Sequence, residues 1–212
     1  MNKKSIIITA ILVIFLILAI IFNNKNTNNF KNEYESLNSN TKYKEITIPK
    51  DNTIVYTDYK QLFNILDNTG IIFLCHPKSN YCRSAAEALV KASEETGVEK
   101  IYYMNNSKDR DIKSLKEGKI ITEKESTDNY NKLLEKLGEN ASIYEKLNDK
   151  KIKRIYYPTL ISVKSGKIVD YITDSNENKN LTKTDQTKLK QKYIDAINKT
   201  LVCDDSTKDK CW

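Results

Sequence analysis

Histidine, glycine and proline are all scarce in this chain of 212 residues, with one histidine, five glycines and three prolines. A single His76 and four cysteines without paired C-x-x-C spacing supply no set of metal ligands, so no metal site is expected. Nothing resembles a Ser/His/Asp set or a phosphate-cradling glycine loop, and no cofactor is expected. Arginine is limited to Arg83, Arg110 and Arg154, while lysines are spread through nearly every segment. The 35 basic and 28 acidic residues leave a net charge of +7, yet no RNP-like, zinc-finger or basic-stripe pattern occurs, so nucleic acid is not an expected partner. The charge is that of a solvated, lysine-covered surface. Asn is frequent, and the N-x-S/T triplets at Asn105, Asn140, Asn180 and Asn198 follow from that frequency; no function is attached to them.

With 39% hydrophobic residues the chain can build one domain plus appendages. Residues 6 to 22 carry no charge and only Thr9 as a polar side chain, and as a helix they span roughly 26 Å. Lys3 and Lys4 precede them, no small-x-small cleavage site follows, and no nearby cysteine is available for lipid attachment. Residues 1–22 are therefore expected to be a cytoplasmic N-terminus and an uncleaved single-pass signal anchor in the cell membrane, with an extracytoplasmic domain. Residues 23–44, rich in Asn, Lys, Ser and Thr, are expected to be a flexible tether, residues 45–202 the domain, and 203–212 a polar tail.

Within the domain, Glu45 to Ile48 and Thr53 to Thr57 suggest a short edge strand or hairpin. Asp58 and Gln61 have capping-box spacing ahead of a short amphipathic helix that ends at Asn68-Thr69-Gly70. A buried strand begins at Ile71, a helix runs from about Ser79 to Thr96 with Gly97 closing it, and Ile101 to Met104 form a second apolar strand. That order implies a parallel pair. Residues 107 to 125 are charged and read as a loop or short extension, and Thr127 caps a helix stopped by Gly138. Ile143, Tyr144 and Leu147 predict further helical turns. Runs on either side of Ser165-Gly166 predict a β-hairpin, and Thr184 opens the last helix. The pattern is an α/β sheet covered by helices on both faces.

Cys82 falls in the first turn after the buried strand, where unpaired N–H groups and the helix dipole favour a thiolate. His76, nearby, could raise that thiolate fraction. Cys75 reads as a small buried hydrophobe, as a displaced redox partner of Cys82, or as a cysteine bonded elsewhere, the second only if the intervening loop folds back to bring the Cα atoms within about 7 Å. Cys203 and Cys211 are expected to form a disulfide in an oxidising compartment; the alternative is that the tail supplies a thiol to Cys82.

A strand ending in a loop with Pro77, Cys82-Arg83 at a helix start, and Tyr157-Pro158-Thr159 ahead of a hairpin together resemble the thioredoxin superfamily, over roughly residues 54 to 205. The pattern is most similar to its membrane-tethered members in Gram-positive bacteria, the bacteriocin transport accessory proteins, in which a strand like Ile101 to Asn105 and an Arg-Asp pair such as Arg110-Asp111 also occur. The resemblance implies a thioredoxin-like fold with a central mixed sheet, and a cis-proline at Pro158. It implies that an extended peptide or protein, with or without a thiol, binds along Asn80, Tyr81, Tyr157, Pro158 and Thr159. It also places the attacking cysteine of C-x-x-C at Ser79, whose hydroxyl cannot exchange disulfides, and the buried acid of many members at Phe73.

The expected function is a degenerate S-x-x-C protein with weak, monothiol or no exchange activity that binds extended peptides. One alternative is a redox-inactive assembly module of an envelope export machine. Another is an active oxidoreductase using Cys75 with Cys82 or the C-terminal pair.

Overall fold

Gly70–Leu74 form a strand, β2, in which every residue is buried, and the sheet extends to both sides of it. The computed structural model describes residues 29–201. On one side β3 (Ile101–Met104) runs parallel to β2, with β1 (Ile54–Tyr56) parallel beyond it. On the other side β8 (Thr159–Lys164) and β9 (Lys167–Thr173) follow in antiparallel register, giving the order β1-β3-β2-β8-β9. Burial on both faces explains why β2 is an unbroken apolar run. Ser165 and Gly166, both at positive φ, make the tight β8–β9 turn that the sequence predicts.

The helices begin where short polar side chains satisfy their free N–H groups. Asp58 accepts from Gln61 N at 2.8 Å to start α2 (Tyr59–Leu66), and Ser79 from Cys82 N at 3.2 Å to start α3 (Asn80–Thr96). Thr127 accepts from Tyr130 N at 3.3 Å to start α4 (Asp128–Leu137). The last helix, α5 (Lys183–Leu201), opens with reciprocal Thr182–Asp185 bonds, two residues before the expected Thr184. α2 lies so close to the start of β2 that a Cβ on Gly70 would sit 2.8 Å from Ile65 Cγ2. Alternation along β2 and β3 sends Phe73 and Tyr103 to the other face, where Phe73 meets Tyr193 of α5 at 6.4 Å between ring centroids. α3 packs along α5.

Three expectations need correction. The flexible tether does not extend over residues 29 to 44. Residues 29 to 35 are helical (α1), with Phe30 and Tyr34 one turn apart and fully buried. Their rings lie 4.7 Å from each other, and that of Phe30 lies 4.9 Å from Tyr103. The buried Arg83 guanidinium fastens the segment after α1: it donates to Lys44 O, to Tyr34 O at 2.6 Å and to Asn38 Oδ1 at 2.5 Å. The folded domain thus includes α1 and the residues that connect it to β1. Ile46 and Ile48 are buried as an extended segment, and only residues 54 to 56 join the sheet as β1.

Secondly, the charged stretch after residue 107 contains a hairpin, β4 (Ile112–Lys116) and β5 (Lys119–Lys124), turned by Glu117 and Gly118 at positive φ. Its Ile112, Leu115, Ile120 and Ile121 are exposed. Thirdly, the turns around Ile143 and Leu147 are a short β6 (Ser142–Ile143) paired with β7 (Lys153–Arg154) and a single 3-10 turn, Glu145–Leu147.

No helix among the described residues is long and apolar enough to cross a membrane. The expected anchor over residues 6 to 22, and Cys203 and Cys211, lie outside the described residues.

Candidate functional site

The loop from β2 to α3 folds back on itself. Pro77 and Lys78 make a turn in which Ser79 N donates to His76 O at 3.4 Å, and Ser79 then caps α3. The bend brings Cys75 and Cys82 to a Cα separation of 5.6 Å, and the two sulfurs are bonded. Cys75 is therefore not a free buried hydrophobe, as one expectation had it. Its pairing with Cys82 is the arrangement that required the loop to fold back. Both residues are fully buried, and the Cys82 sulfur accepts from His76 N at 3.2 Å.

His76 cannot serve as the cationic neighbour of a thiolate. Its backbone rather than its ring approaches Cys82, and the ring stands edge-on to Tyr157 with 5.6 Å between centroids. Burial, aided by Arg110 and Lys78, holds its pKa below the ordinary imidazole value against the opposing pull of Glu177. That direction favours the neutral ring.

The residues expected to line a peptide groove have divided duties. The Tyr157–Pro158 peptide bond is cis, as the resemblance implies. Tyr157 is buried and its hydroxyl donates to Asn106 Oδ1 at 2.7 Å. Thr159 is buried too, bonded to Tyr156 O at 2.5 Å and to Thr173 Oγ1 at 2.8 Å. Asn80 is engaged elsewhere: its side-chain oxygen accepts from Lys44 N at 2.6 Å and so pins the segment after α1. Tyr81 is largely buried, its pKa pushed up to about 12 by that burial, with Lys179 Nζ 5.9 Å from its ring. Ser79 spends its acceptor on the α3 cap and donates to Glu177 O at 3.3 Å.

Glu177 was not singled out from the sequence. It lies in the connection between β9 and α5, and its Oε1 accepts from Tyr157 N at 2.9 Å and from Arg110 Nη1 at 2.5 Å. Arg110 also stands over the Tyr157 ring, 4.8 Å from its centroid. The signal that could have found this pair is the resemblance itself, which drew attention to Arg110-Asp111 and to the residue before Pro158. A backbone N–H there needs an acceptor, and so does a buried guanidinium. Beside them a cleft of about 360 Å³ is lined by Arg110, Tyr144, Lys146, Arg154, Tyr156 and Glu177, among others.

No family model matches this chain, and no curated protein matches it. Among solved structures, the crystal structure of thioredoxin from Trypanosoma brucei brucei is similar at 16% identity, covering 72% of this chain and 99% of that one with a TM-score of 0.38. The fold is thioredoxin-like. Its strand order, parallel β1-β3-β2 half, antiparallel β8–β9 half and Pro158 at the head of β8 are the features that make it so.

Proposed function

We propose that this protein is a thioredoxin-fold binding module for extended peptide or protein segments, whose buried Cys75–Cys82 bond closes the former exchange site. The observation that carries the reading is the pairing of two facts at one loop. Ser79 stands where the resemblance puts the attacking sulfur, and the neighbouring disulfide is fully buried. Exchange requires a thiolate to approach a disulfide sulfur in line, so shielding both sulfurs slows it whatever the chemistry of the attacker. A backbone edge beside Pro158 survives: Tyr157 N–H is the kind of donor to which an extended peptide pairs, and in this structure it is held by a side chain that can be exchanged. The apolar stretch at residues 6 to 22 supports membrane tethering with the domain outside the cytoplasm, where disulfides persist. An accessory role in envelope export, of the bacteriocin transport accessory kind, fits such a module.

The test is insulin reduction by dithiothreitol with the full-length protein present. No acceleration over dithiothreitol alone is expected, alongside measurable binding of extended peptides by fluorescence anisotropy. Catalysed reduction would favour a second reading, an oxidoreductase using Cys75 and Cys82. What favours that reading is the place of Cys82 in the first turn of α3, where helix N–H groups stabilise a leaving thiolate.

A further inference from the structure

The cleft is lined by three cations, Arg110, Lys146 and Arg154, and by two carboxylates, Glu145 and Glu177. Arg154 is 6% exposed and lines the cleft, and its Nε and Nη1 find no hydrogen-bond partner in the protein. The guanidinium is stacked over the Tyr144 ring, 4.0 Å from the centroid, and Nη2 reaches Asp111 O at 3.3 Å, so its plane is fixed while two in-plane donors stay unused. Buried N–H groups of a cation are expected to be paired. Next to it, Arg110 is locked by the Tyr157 ring and by Ile155 O at 3.3 Å, independently of Glu177. Lys146 adds a third cation at the rim.

Of the two carboxylates, the one bonded to Arg110 is Glu177, from the connection between β9 and α5. Glu177 accepts three hydrogen bonds from the body of the domain, at Oε1 from Tyr157 N and Arg110 and at its backbone oxygen from Ser79, while Lys179 bonds to Asp174 and stands 5.9 Å from the Tyr81 ring.

We propose that Tyr157 N–H, Arg110 and Arg154 form a carboxylate-binding subsite for an acidic residue of the bound peptide, and that Glu177 occupies part of it in the absence of ligand. The inference rests on the peptide-binding reading above. Displacement of Glu177 by a peptide exchanges one carboxylate for another at Arg110 and Tyr157 N. A ligand reaching further into the cleft gains one of the Arg154 donors that Glu177 leaves unused, since Nε and Nη1 point to different sides of the guanidinium and both are covered until the ligand parts the cleft. Charge-assisted bonds of this kind favour planar carboxylates, with a guanidinium able to hold both oxygens.

The probe is a fluorescein-labelled, C-amidated heptapeptide Ser-Thr-Val-Glu-Val-Thr-Ser, with a Gln counterpart and a Gln counterpart bearing a free C-terminal carboxylate. All are titrated by anisotropy against full-length protein and the Glu177→Ala variant. The Glu peptide should bind Glu177→Ala about tenfold more tightly than wild type, because the competing closed state is removed. It should be preferred over the amidated Gln peptide by about tenfold or more, and Arg154→Met should abolish the preference while leaving Gln-peptide binding in place. If Arg154→Met does not fold, Arg110→Gln is read in the same way. Preference for the free C-terminal carboxylate over the Glu side chain would overturn the acidic-residue assignment. Equal binding of the Glu and amidated Gln peptides would overturn the subsite and leave the peptide-binding reading standing. Binding of none of the three by Glu177→Ala would overturn both.

Discussion

Truncating Phe30 to alanine separates a tether from a structural helix. In a solvated linker the change alters stability by less than about 0.5 kcal/mol, as exposed substitutions do. Phe30 is instead fully buried between Tyr34 and Tyr103 at the edge of the aromatic cluster. Loss of a buried phenylalanine side chain costs about 3–5 kcal/mol, combining lost transfer energy with the cavity left behind. Because α1 lies at the margin of the domain and can collapse partly into the space, the lower end, about 3 kcal/mol, is the expected value. For a domain of this size each kcal/mol moves Tm by roughly 2–4 °C, so a drop of roughly 6–12 °C should appear. Urea unfolding of the full-length protein followed by far-UV circular dichroism gives the number, with Asn32→Ala on the exposed face of the same helix as control. A Phe30→Ala change no larger than the Asn32→Ala change would refute the inclusion of α1 in the core.

Two further outcomes concern the loop between β2 and α3. His76 has a folded-state pKa below its unfolded value, so the unfolded chain binds more protons as pH falls through about 6.5. Stability is full above that pH and declines below it toward the lowered folded pKa, and His76→Gln should flatten this part of the profile; an unchanged slope between pH 7 and 5 would contradict the assignment. Ser79→Cys places a thiol one helical turn before Cys82, with about 1 kcal/mol lost from the weakened cap. The new thiolate should attack the Cys82 sulfur and release Cys75 as a thiol, and with dithiothreitol as the reductant the variant should accelerate insulin reduction; a bond that stays between Cys75 and Cys82 with no activity would mean that residue 79 is not the attacking position.

Elements encoded by neighbouring residues were legible in the sequence. The apolar run of β2, the caps at Asp58, Ser79 and Thr127, Gly97 after α3 and the Ser165-Gly166 turn are each signalled by residue types within a few positions. Structure fixed by distant partners was not. Phe30 and Tyr34 stand in an Asn-rich stretch whose composition suggests disorder, and they fold because Tyr103 and Arg83 receive them. The Cys75–Cys82 bond depends on a reversal at Pro77 that spacing alone leaves open. Glu177 meets Tyr157 and Arg110 from a polar connection that looks like any other surface loop. The β4–β5 hairpin was hidden by its charge, since both its strands are largely solvated and lack the alternation that marks a strand resting on a core.

The most direct test of the proposed shielding of the Cys75–Cys82 bond is the rate at which dithiothreitol reduces it, read by alkylation and peptide mass mapping in native buffer and in denaturing urea. Burial of both sulfurs predicts reduction about a hundredfold or more slower in the native protein, because the attacking thiolate must wait for an opening of the loop. Native reduction as fast as in urea would contradict the account.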